Sequence, residues 1–144
     1  TLANDYDRLH LVQIAVEDAP LLEASNIEFA LPKPSYTIDT LTYLREQHPD
    51  YEFVLIMGGD NLGSLQKWKN HDILLRDYQI YVYSRPNYDL GPYKDHEHVL
   101  LVTTPLMEIS SSAIRQMLRN KQSVRYLVPE IVRDELERSG LYQH

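Results

Sequence analysis

Apolar residues along this chain fall into patterns that predict alternating strands and helices. Residues 53–57 are apolar without interruption, which predicts a strand in the middle of a parallel sheet that is covered on both faces. Residues 80–83 and 99–102 predict two further strands. An apolar residue at every second position predicts another strand with one buried face, formed by Ile27, Phe29 and Leu31.

Segments with helical spacing stand before, between and after these strands. Leu9, Val12 and Val16 form a stripe that predicts a helix over residues 5–18. Further helices are predicted at residues 37–48, around 73–75, at 111–120 and from about 129 to 139. Strands that alternate with helices at this spacing form right-handed β-α-β units. The sequence therefore predicts an α/β fold with a doubly wound parallel sheet and a C-terminal helical segment, in which ligands bind beyond the carboxyl ends of the strands.

Charge and composition exclude several classes of protein. The chain has 14 Lys plus Arg against 21 Asp plus Glu, and this net charge of −7 argues against general DNA or RNA binding. It contains no cysteine, which excludes disulfides, thiolate catalysis and cysteine-ligated zinc and favours a cytoplasmic location. No apolar run approaches the length of a membrane span. With 144 residues, of which 43% are hydrophobic, the chain is expected to form a single domain over residues 1–144.

Three consecutive serines, Ser110, Ser111 and Ser112, lead into the predicted helix over residues 111–120. Ser110 or Ser111 is a strong N-cap candidate. The first helical turn leaves backbone N–H groups without partners and carries the positive end of the helix dipole, which together favour a bound anion. Arg115 lies one turn further, where a guanidinium can contact two oxygens of a polyphosphate and balance the charge of a leaving group. The alternative is an ordinary capped surface helix with a solvated arginine.

The predicted strand over residues 53–57 ends at Gly58, Gly59 and Asp60. This segment is neither a dinucleotide-binding G-x-G-x-x-G motif nor a Walker loop, because Asp60 and Ser64 stand where those motifs need Gly and Lys. Two glycines permit a close backbone approach, and the carboxylate of Asp60 is suited to ribose hydroxyls or to a metal-bound water. The alternative is a turn with a helix-capping aspartate.

Trp68, the only tryptophan, lies between Lys67 and Lys69. An aromatic plate flanked by cations suits an electron-poor ring that carries a carboxylate. The alternative is a half-buried packing residue. Residues 34–37 leave two interpretations as well, either a loop that caps a helix or a wall whose backbone N–H groups bind a small anion.

Several segments carry a resemblance through their content and their order. They are KPSYTIDTL at 33–41, VLIMGGDNL at 54–62, KWKN at 67–70, YSRPNYDLG at 83–91, PLMEISSSAIR at 105–115 and VRYLVPEIVRDELERSGLY at 124–142. Together they resemble the bacterial nicotinate-nucleotide adenylyltransferase family over essentially the whole chain. The resemblance implies a Rossmann-like fold and transfer of the AMP part of ATP to nicotinate mononucleotide, with Mg²⁺ accompanying ATP. Pyrophosphate and deamido-NAD would be the products of NAD biosynthesis.

The resemblance also implies roles for the candidate residues, with Arg115 as the catalytic one. The implied ATP-binding residues are Ser110, Ser111, Ser112, Arg115, Gly58, Gly59 and Asp60. The implied nicotinate mononucleotide-binding residues are Tyr36, Thr37, Trp68, Lys69 and Arg85. Trp68 would stack on the pyridine ring, and backbone groups near Thr37 and Lys69 would bind its carboxylate. No residue of the chain is expected to ligate a metal directly.

One part of the family pattern is absent from the printed sequence. The family begins with a strand, a G-x-F-x-P-x-H-x-G-H loop and a helix, and the histidines of that loop contact ATP phosphates. None of the six histidines here has that spacing, and His96-Glu97-His98 is interpreted as a solvated loop. We therefore expect residues 1–144 to be the larger, C-terminal part of a longer enzyme and to be inactive alone.

Two other functions remain open from the sequence. One is a related adenylyl- or cytidylyltransferase for another phosphorylated acceptor, such as phosphopantetheine or a sugar-alcohol phosphate, because the I-S-S-x-x-x-R helix is shared across the superfamily. The other is a non-catalytic nucleotide-binding module, which the missing histidine loop makes possible.

Overall fold

A three-stranded parallel sheet organises the middle of the chain. The computed structural model describes residues 2–83, 88–105 and 108–143. The strands are β1 (Val54–Gly58), β2 (Gln79–Tyr83) and β3 (Val99–Val102), and they lie in the order β1-β2-β3. Ile80 of β2 lies opposite Leu55 of β1 and Val99 of β3. Since all neighbouring strands are parallel, the predicted α/β class and the three strands are confirmed.

The helices lie close to their predicted positions. Among the described residues they are α1 (Asp5–Val16), α2 (Thr37–Gln47), α3 (Gly59–Gly63), α4 (His71–Asp77), α5 (Ser111–Arg119) and α6 (Glu130–Ser139). Short 3-10 helices cover Ile27–Ala30 and Leu65–Lys67. The last α-helix ends at Ser139 and is capped by Gly140, whose φ of 67° is the left-handed conformation that glycine adopts after helix ends. In the described part of the chain, no helix has the length and apolar character that a membrane crossing requires.

The chain divides into two compact units, and residues 27–107 form one of them. Its core lies on one face of the sheet, where the alternate β2 residues Ile80 and Val82 are fully buried. Ile38 and Leu41 of α2 belong to the same apolar cluster, as the helical spacing predicts. Trp68 is half-buried and packs against this cluster.

The second unit consists of residues 1–26 and 108–144. Ile114 and Leu118 of α5 are buried in its core, as the spacing predicts, together with Val132 and Leu136 of α6. The predicted apolar face of α1 is wrong in part, because Val12 is 49% exposed. The α1 residues that pack on this core are Leu11 and Ile14.

One prediction about strands is wrong, and another is not met within the described sheet. The segment with apolar residues at every second position forms the 3-10 helix Ile27–Ala30, and the N–H of Leu31 donates to the carbonyl oxygen of Glu28 at 3.3 Å. The strand β1 was expected to be covered on both faces. Instead it lies at an edge of the described sheet, and its outward-facing Ile56 is 71% exposed.

Two glycines bring a loop into direct backbone contact with the end of α3. A Cβ added at Gly63 would overlap the carbonyl oxygen of Asp89. Gly91 has a φ of +70°, its N–H donates to Asp89 Oδ1 at 2.9 Å, and a Cβ there would lie 3.1 Å from the Cα of Gly63. The loop at residues 89–91 is therefore held against the helix that carries Asp60.

We expect Gly63→Ala to lower the free energy of unfolding by about 1–3 kcal/mol, because a backbone atom must move to make room for the methyl group. Thermal melting of the variant measures this loss. The neighbouring surface substitution Gln66→Ala serves as the control and should leave the melting temperature nearly unchanged. Equal melting temperatures for Gly63→Ala and the parent protein would contradict the backbone contact.

Candidate functional site

The serine-rich segment forms a capped helix start. Ser110 is the N-cap of α5 with φ −130° and ψ 150°, and its Oγ accepts a hydrogen bond from the N–H of Ala113 at 3.2 Å. This selects Ser110 from the two predicted cap candidates. Ser111 and Ser112 are exposed and occupy the first turn, where backbone N–H groups have no intrahelical acceptor. The helix therefore presents N–H donors and serine hydroxyls to the solvent at its positive end.

Arg115 lies one turn into α5 and is half-buried. Its Nη2 donates to Ser112 Oγ at 3.2 Å, and its Cζ lies 6.0 Å from the centroid of the Tyr142 ring. Within the described ranges, Arg115 forms no ion pair with a carboxylate. A guanidinium has five N–H donors, so most of those on Arg115 remain available to an anion.

The apolar face of α5 holds this arginine in place. Ile114, the residue before Arg115, is buried in the core of its unit, and so is Leu118 one turn later. Because packing fixes the helix, the guanidinium and the first-turn N–H groups have a fixed spacing before any ligand binds. Such preorganised donors stabilise developing negative charge without a reorganisation cost.

The glycines at the end of β1 make room for a carboxylate. Gly58 is the last residue of β1 and the N-cap of α3, and both Gly58 and Gly59 are buried. A Cβ at Gly58 would lie 2.5 Å from Asp60 Oδ1 and 3.3 Å from the hydroxyl of Tyr83. Asp60 is exposed, and its carboxylate lies beside the carboxyl end of β1. The structure thus places Gly58, Gly59 and Asp60 together where ligands of parallel sheets bind.

A second group of candidate residues gathers at the start of α2. Lys69 Nζ lies 4.9 Å from the centroid of the Tyr36 ring and 2.7 Å from Asp39 Oδ2. Thr37 is the first residue of α2, and Tyr36 precedes it with 42% of its surface exposed. Trp68 precedes Lys69 and follows the 3-10 helix Leu65–Lys67. The structure therefore brings an exposed aromatic ring, a helix start and the cation of Lys69 together, and Lys69 follows Trp68 in the chain.

Sequence reasoning missed two residues of these groups. Asp39 was not singled out, because its partner lies 30 positions away in the chain, where no local pattern reveals it. Tyr83 borders Gly58 because β1 and β2 pair in parallel with these two residues opposite each other. A strand register derived from the two apolar runs would have been the available signal.

The histidines of the segment at 96–98 are not simply solvated, so that interpretation is wrong. His98 Nδ1 lies 2.6 Å from the carbonyl oxygen of Leu75, and the N–H of His98 donates to His96 Nδ1 at 3.1 Å. Both side chains are half-buried. In the part of the chain that the structure describes, no three His, Cys, Asp or Glu side chains form a group that could hold a metal ion. Arg85, predicted to contact nicotinate mononucleotide, lies outside the described residues.

Comparison with known proteins gives first the class and then the family of this chain. The family model described as "Cytidylyltransferase-like" matches residues 1–117. The chain is therefore a nucleotidyltransferase of the cytidylyltransferase-like class. A Flavobacterium psychrophilum protein named "Probable nicotinate-nucleotide adenylyltransferase" is 46% identical over 99% of this chain and 75% of its own length. A Cytophaga hutchinsonii protein of the same name is 45% identical over 93% of this chain and 70% of its own length. The chain belongs to the nicotinate-nucleotide adenylyltransferase family.

A solved structure extends the comparison to the fold. The nicotinic acid mononucleotide adenylyltransferase of Plasmodium falciparum, complexed with NaAD, has a TM-score of 0.78 and 18% sequence identity, covering 99% of this chain and 76% of that chain. At this identity the likeness establishes the fold, which is Rossmann-like. The predicted family, fold and nucleotidyl-transferring enzyme class are confirmed.

Proposed function

We propose that this protein transfers the adenylyl group of ATP to nicotinate mononucleotide and releases pyrophosphate and deamido-NAD, as a step of NAD biosynthesis in the cytoplasm. The family relationship supplies the reaction. The structural observation that carries the proposal is the start of α5. There Ser110 caps the helix, Arg115 is half-buried without a carboxylate partner among the described residues, and packing of α5 fixes both. The N–H donors of a helix start and a guanidinium without a carboxylate partner are together suited to a triphosphate.

The ATP is held by residues from two segments. Ser110, Ser111, Ser112 and Arg115 bind its phosphates through hydroxyls, first-turn N–H groups and the guanidinium. The adenosine part of ATP binds at the end of β1. There Gly58 and Gly59 have no side chains that would block the backbone, and the Asp60 carboxylate can accept hydrogen bonds from ribose hydroxyls. This division of roles is supported by the exposed position of Asp60 and by the order of the family motifs.

Nicotinate mononucleotide binds at the start of α2. Trp68 stacks on the pyridine ring, Tyr36 lines the same pocket, and backbone N–H groups near Thr37 and Lys69 bind the ring carboxylate. This placement is supported by Lys69 Nζ, which lies 4.9 Å from the centroid of the Tyr36 ring. Tyr36 directly precedes α2, and a helix start favours anions. Arg85 is assigned to the same substrate on the family motif alone.

The reaction needs no covalent enzyme intermediate. An oxygen of the 5′-phosphate of nicotinate mononucleotide attacks the α-phosphorus of ATP in line and forms the new P–O bond. The bond from the α-phosphorus to the bridging oxygen breaks, and pyrophosphate leaves with that electron pair. Arg115 balances the negative charge that develops on the phosphoryl oxygens, so positioning and electrostatics carry the rate.

Mg²⁺ enters with ATP as part of the substrate in this proposal. In the described ranges the carboxylates and histidines form no three-membered group for a metal, whereas Mg²⁺ is commonly held by substrate phosphates and water with few protein ligands. Bound there, the ion neutralises phosphate charge in the transition state. The Asp60 carboxylate is assigned the further role of binding a water of that ion, on its chemistry and on the family motif.

A substrate panel tests the proposal. The full-length protein is incubated with ATP or CTP and with nicotinate mononucleotide, nicotinamide mononucleotide, phosphopantetheine or a sugar-alcohol phosphate, and pyrophosphate release is measured. We expect the fastest release with ATP and nicotinate mononucleotide. Faster release with phosphopantetheine or a sugar-alcohol phosphate, or with CTP, would identify a related nucleotidyltransferase, and no release from any pair would leave a binding module.

A further inference from the structure

One ion pair lies beside the proposed pyridine site and joins two distant segments. Lys69 Nζ is 2.7 Å from Asp39 Oδ2, and the same ammonium lies 4.9 Å from the Tyr36 ring centroid. Asp39 belongs to the first turn of α2, and Lys69 directly follows Trp68. The ion pair therefore joins the first turn of α2 to the residue that follows the proposed stacking tryptophan in the chain.

This ion pair contributes little to the free energy of folding. The side chains of Lys69 and Asp39 are 42% and 43% exposed, and ion pairs this accessible to water contribute little to folding. Its charges, however, act on a bound ligand. An unpaired ammonium beside Trp68 would attract a ring carboxylate, an unpaired aspartate would repel it, and at 2.7 Å the two fields nearly cancel beyond the pair.

We propose that Asp39 is a specificity-determining residue, which limits the preference for the acid over the amide form of the pyridine nucleotide by pairing with Lys69 and offsetting its charge. This inference rests on the proposed function, since it requires that the pyridine ring lies at Trp68. The carboxylate of the acid form carries a charge, and the carboxamide of the amide form does not. A change in the net charge at the pair acts on the ring carboxylate of the acid form alone, whereas its effect on the pyridinium and the phosphate is common to both substrates and cancels in their ratio.

Three variants of the full-length protein test this inference: Asp39→Asn, Lys69→Met and the double variant. For each, kcat/KM is measured with nicotinate mononucleotide and with nicotinamide mononucleotide, and the ratio of the two values is compared. Asp39→Asn should raise the acid-to-amide ratio by about threefold to tenfold, and Lys69→Met should lower it by a similar factor, as expected for one partly solvated charge. The double variant should return the ratio to within about twofold of the parent value, because both charges are gone.

Ionic strength gives a second readout that a purely structural role would not change. Salt screens exposed charges, so the shifts of Asp39→Asn and Lys69→Met should shrink as salt rises from about 0.05 M to 0.5 M. The matched control is Asp77→Asn in the same unit. Asp77 pairs with Arg76 at 2.7 Å, and the hydrogen bond from Arg76 holds its carboxyl pKa below the usual value, so the substitution removes an equal charge away from Trp68. Its ratio should equal that of the parent.

The outcomes separate this inference from the function on which it rests. An equal loss of kcat/KM with both substrates in Asp39→Asn, or an unchanged acid-to-amide ratio, overturns the role of Asp39, provided that Trp68→Ala still raises the KM for the pyridine nucleotide. If Trp68→Ala leaves the KM for the pyridine nucleotide unchanged, the proposed pyridine site itself is contradicted. A ratio that shifts equally in Asp77→Asn also overturns the inference, because the effect would then depend on total charge.

Discussion

Replacing Arg115 with alanine is expected to lower kcat for adenylyl transfer by about a hundredfold or more, by analogy with the loss of one oxyanion donor. The half-buried guanidinium at the start of α5 has no acidic partner among the described residues, so its donors are available to phosphate oxygens. Charge on those oxygens is redistributed as pyrophosphate leaves, and the lost interaction therefore appears in kcat more than in the KM for ATP. Steady-state kinetics with varied ATP measure both constants.

Arg119 supplies the matched control for this prediction. It lies on the same helix, is exposed, and donates from Nη2 to Gln116 Oε1 at 3.0 Å. Arg119→Ala should leave kcat within about twofold of the parent value, since surface substitutions away from a site have small effects. Arg115→Lys should recover part of the rate because it restores the charge without the bidentate geometry. An unchanged kcat in Arg115→Ala would remove Arg115 from the mechanism.

Replacing Trp68 with alanine is expected to raise the KM for nicotinate mononucleotide by about ten- to a hundredfold, since stacking on an aromatic side chain contributes roughly 1–3 kcal/mol per base. The KM for ATP should change far less, because Ser110 and Arg115 are proposed to hold that substrate. Kinetics with each substrate varied in turn separate the two effects. Quenching of Trp68 fluorescence by the pyridine nucleotide, measured against Trp68→Phe, reports the same contact directly.

Trp68 also packs against a core cluster, so its substitution needs a control for folding. Trp68→Phe keeps an aromatic plate and should retain most of the affinity for nicotinate mononucleotide, and thermal melting of both variants measures the packing loss. An equal rise of both KM values in Trp68→Ala would assign the residue to packing. Retained ATP kinetics with a raised pyridine KM supports stacking.

Local patterns predicted most of the fold. The apolar runs at β1, β2 and β3 and the helical faces of α2 and α5 are determined by neighbours within one or two turns, and the structure confirms them. The Ser110 cap is equally local, since its bond to the N–H of Ala113 spans three residues. Where a few consecutive side chains decide the conformation, the sequence is sufficient.

The wrong predictions concern features that depend on distant partners. Three alternating apolar residues predict a strand at residues 27–31 only if another strand pairs with them, and here the chain closes into a 3-10 helix. Glu28 in this helix accepts a hydrogen bond from the hydroxyl of Thr40 at 2.9 Å, so a contact with α2 helps to define the conformation.

The candidate site divides in the same way. The helix-start donors and Arg115 were accessible from the sequence, because a cap and an arginine one turn later are a local arrangement. The Asp39–Lys69 pair was not accessible, because it joins residues 30 positions apart and depends on how α2 packs near the turn after Trp68. The contact of Gly58 with Asp60 and Tyr83 depends on strand register in addition to sequence.

A crystal structure of the full-length protein with a non-hydrolysable ATP analogue tests the central claim most directly. The account predicts phosphate oxygens within hydrogen-bond distance of the N–H groups of Ser111 and Ser112 and of the Arg115 guanidinium. A triphosphate bound elsewhere, with the start of α5 in contact with water alone, would contradict it.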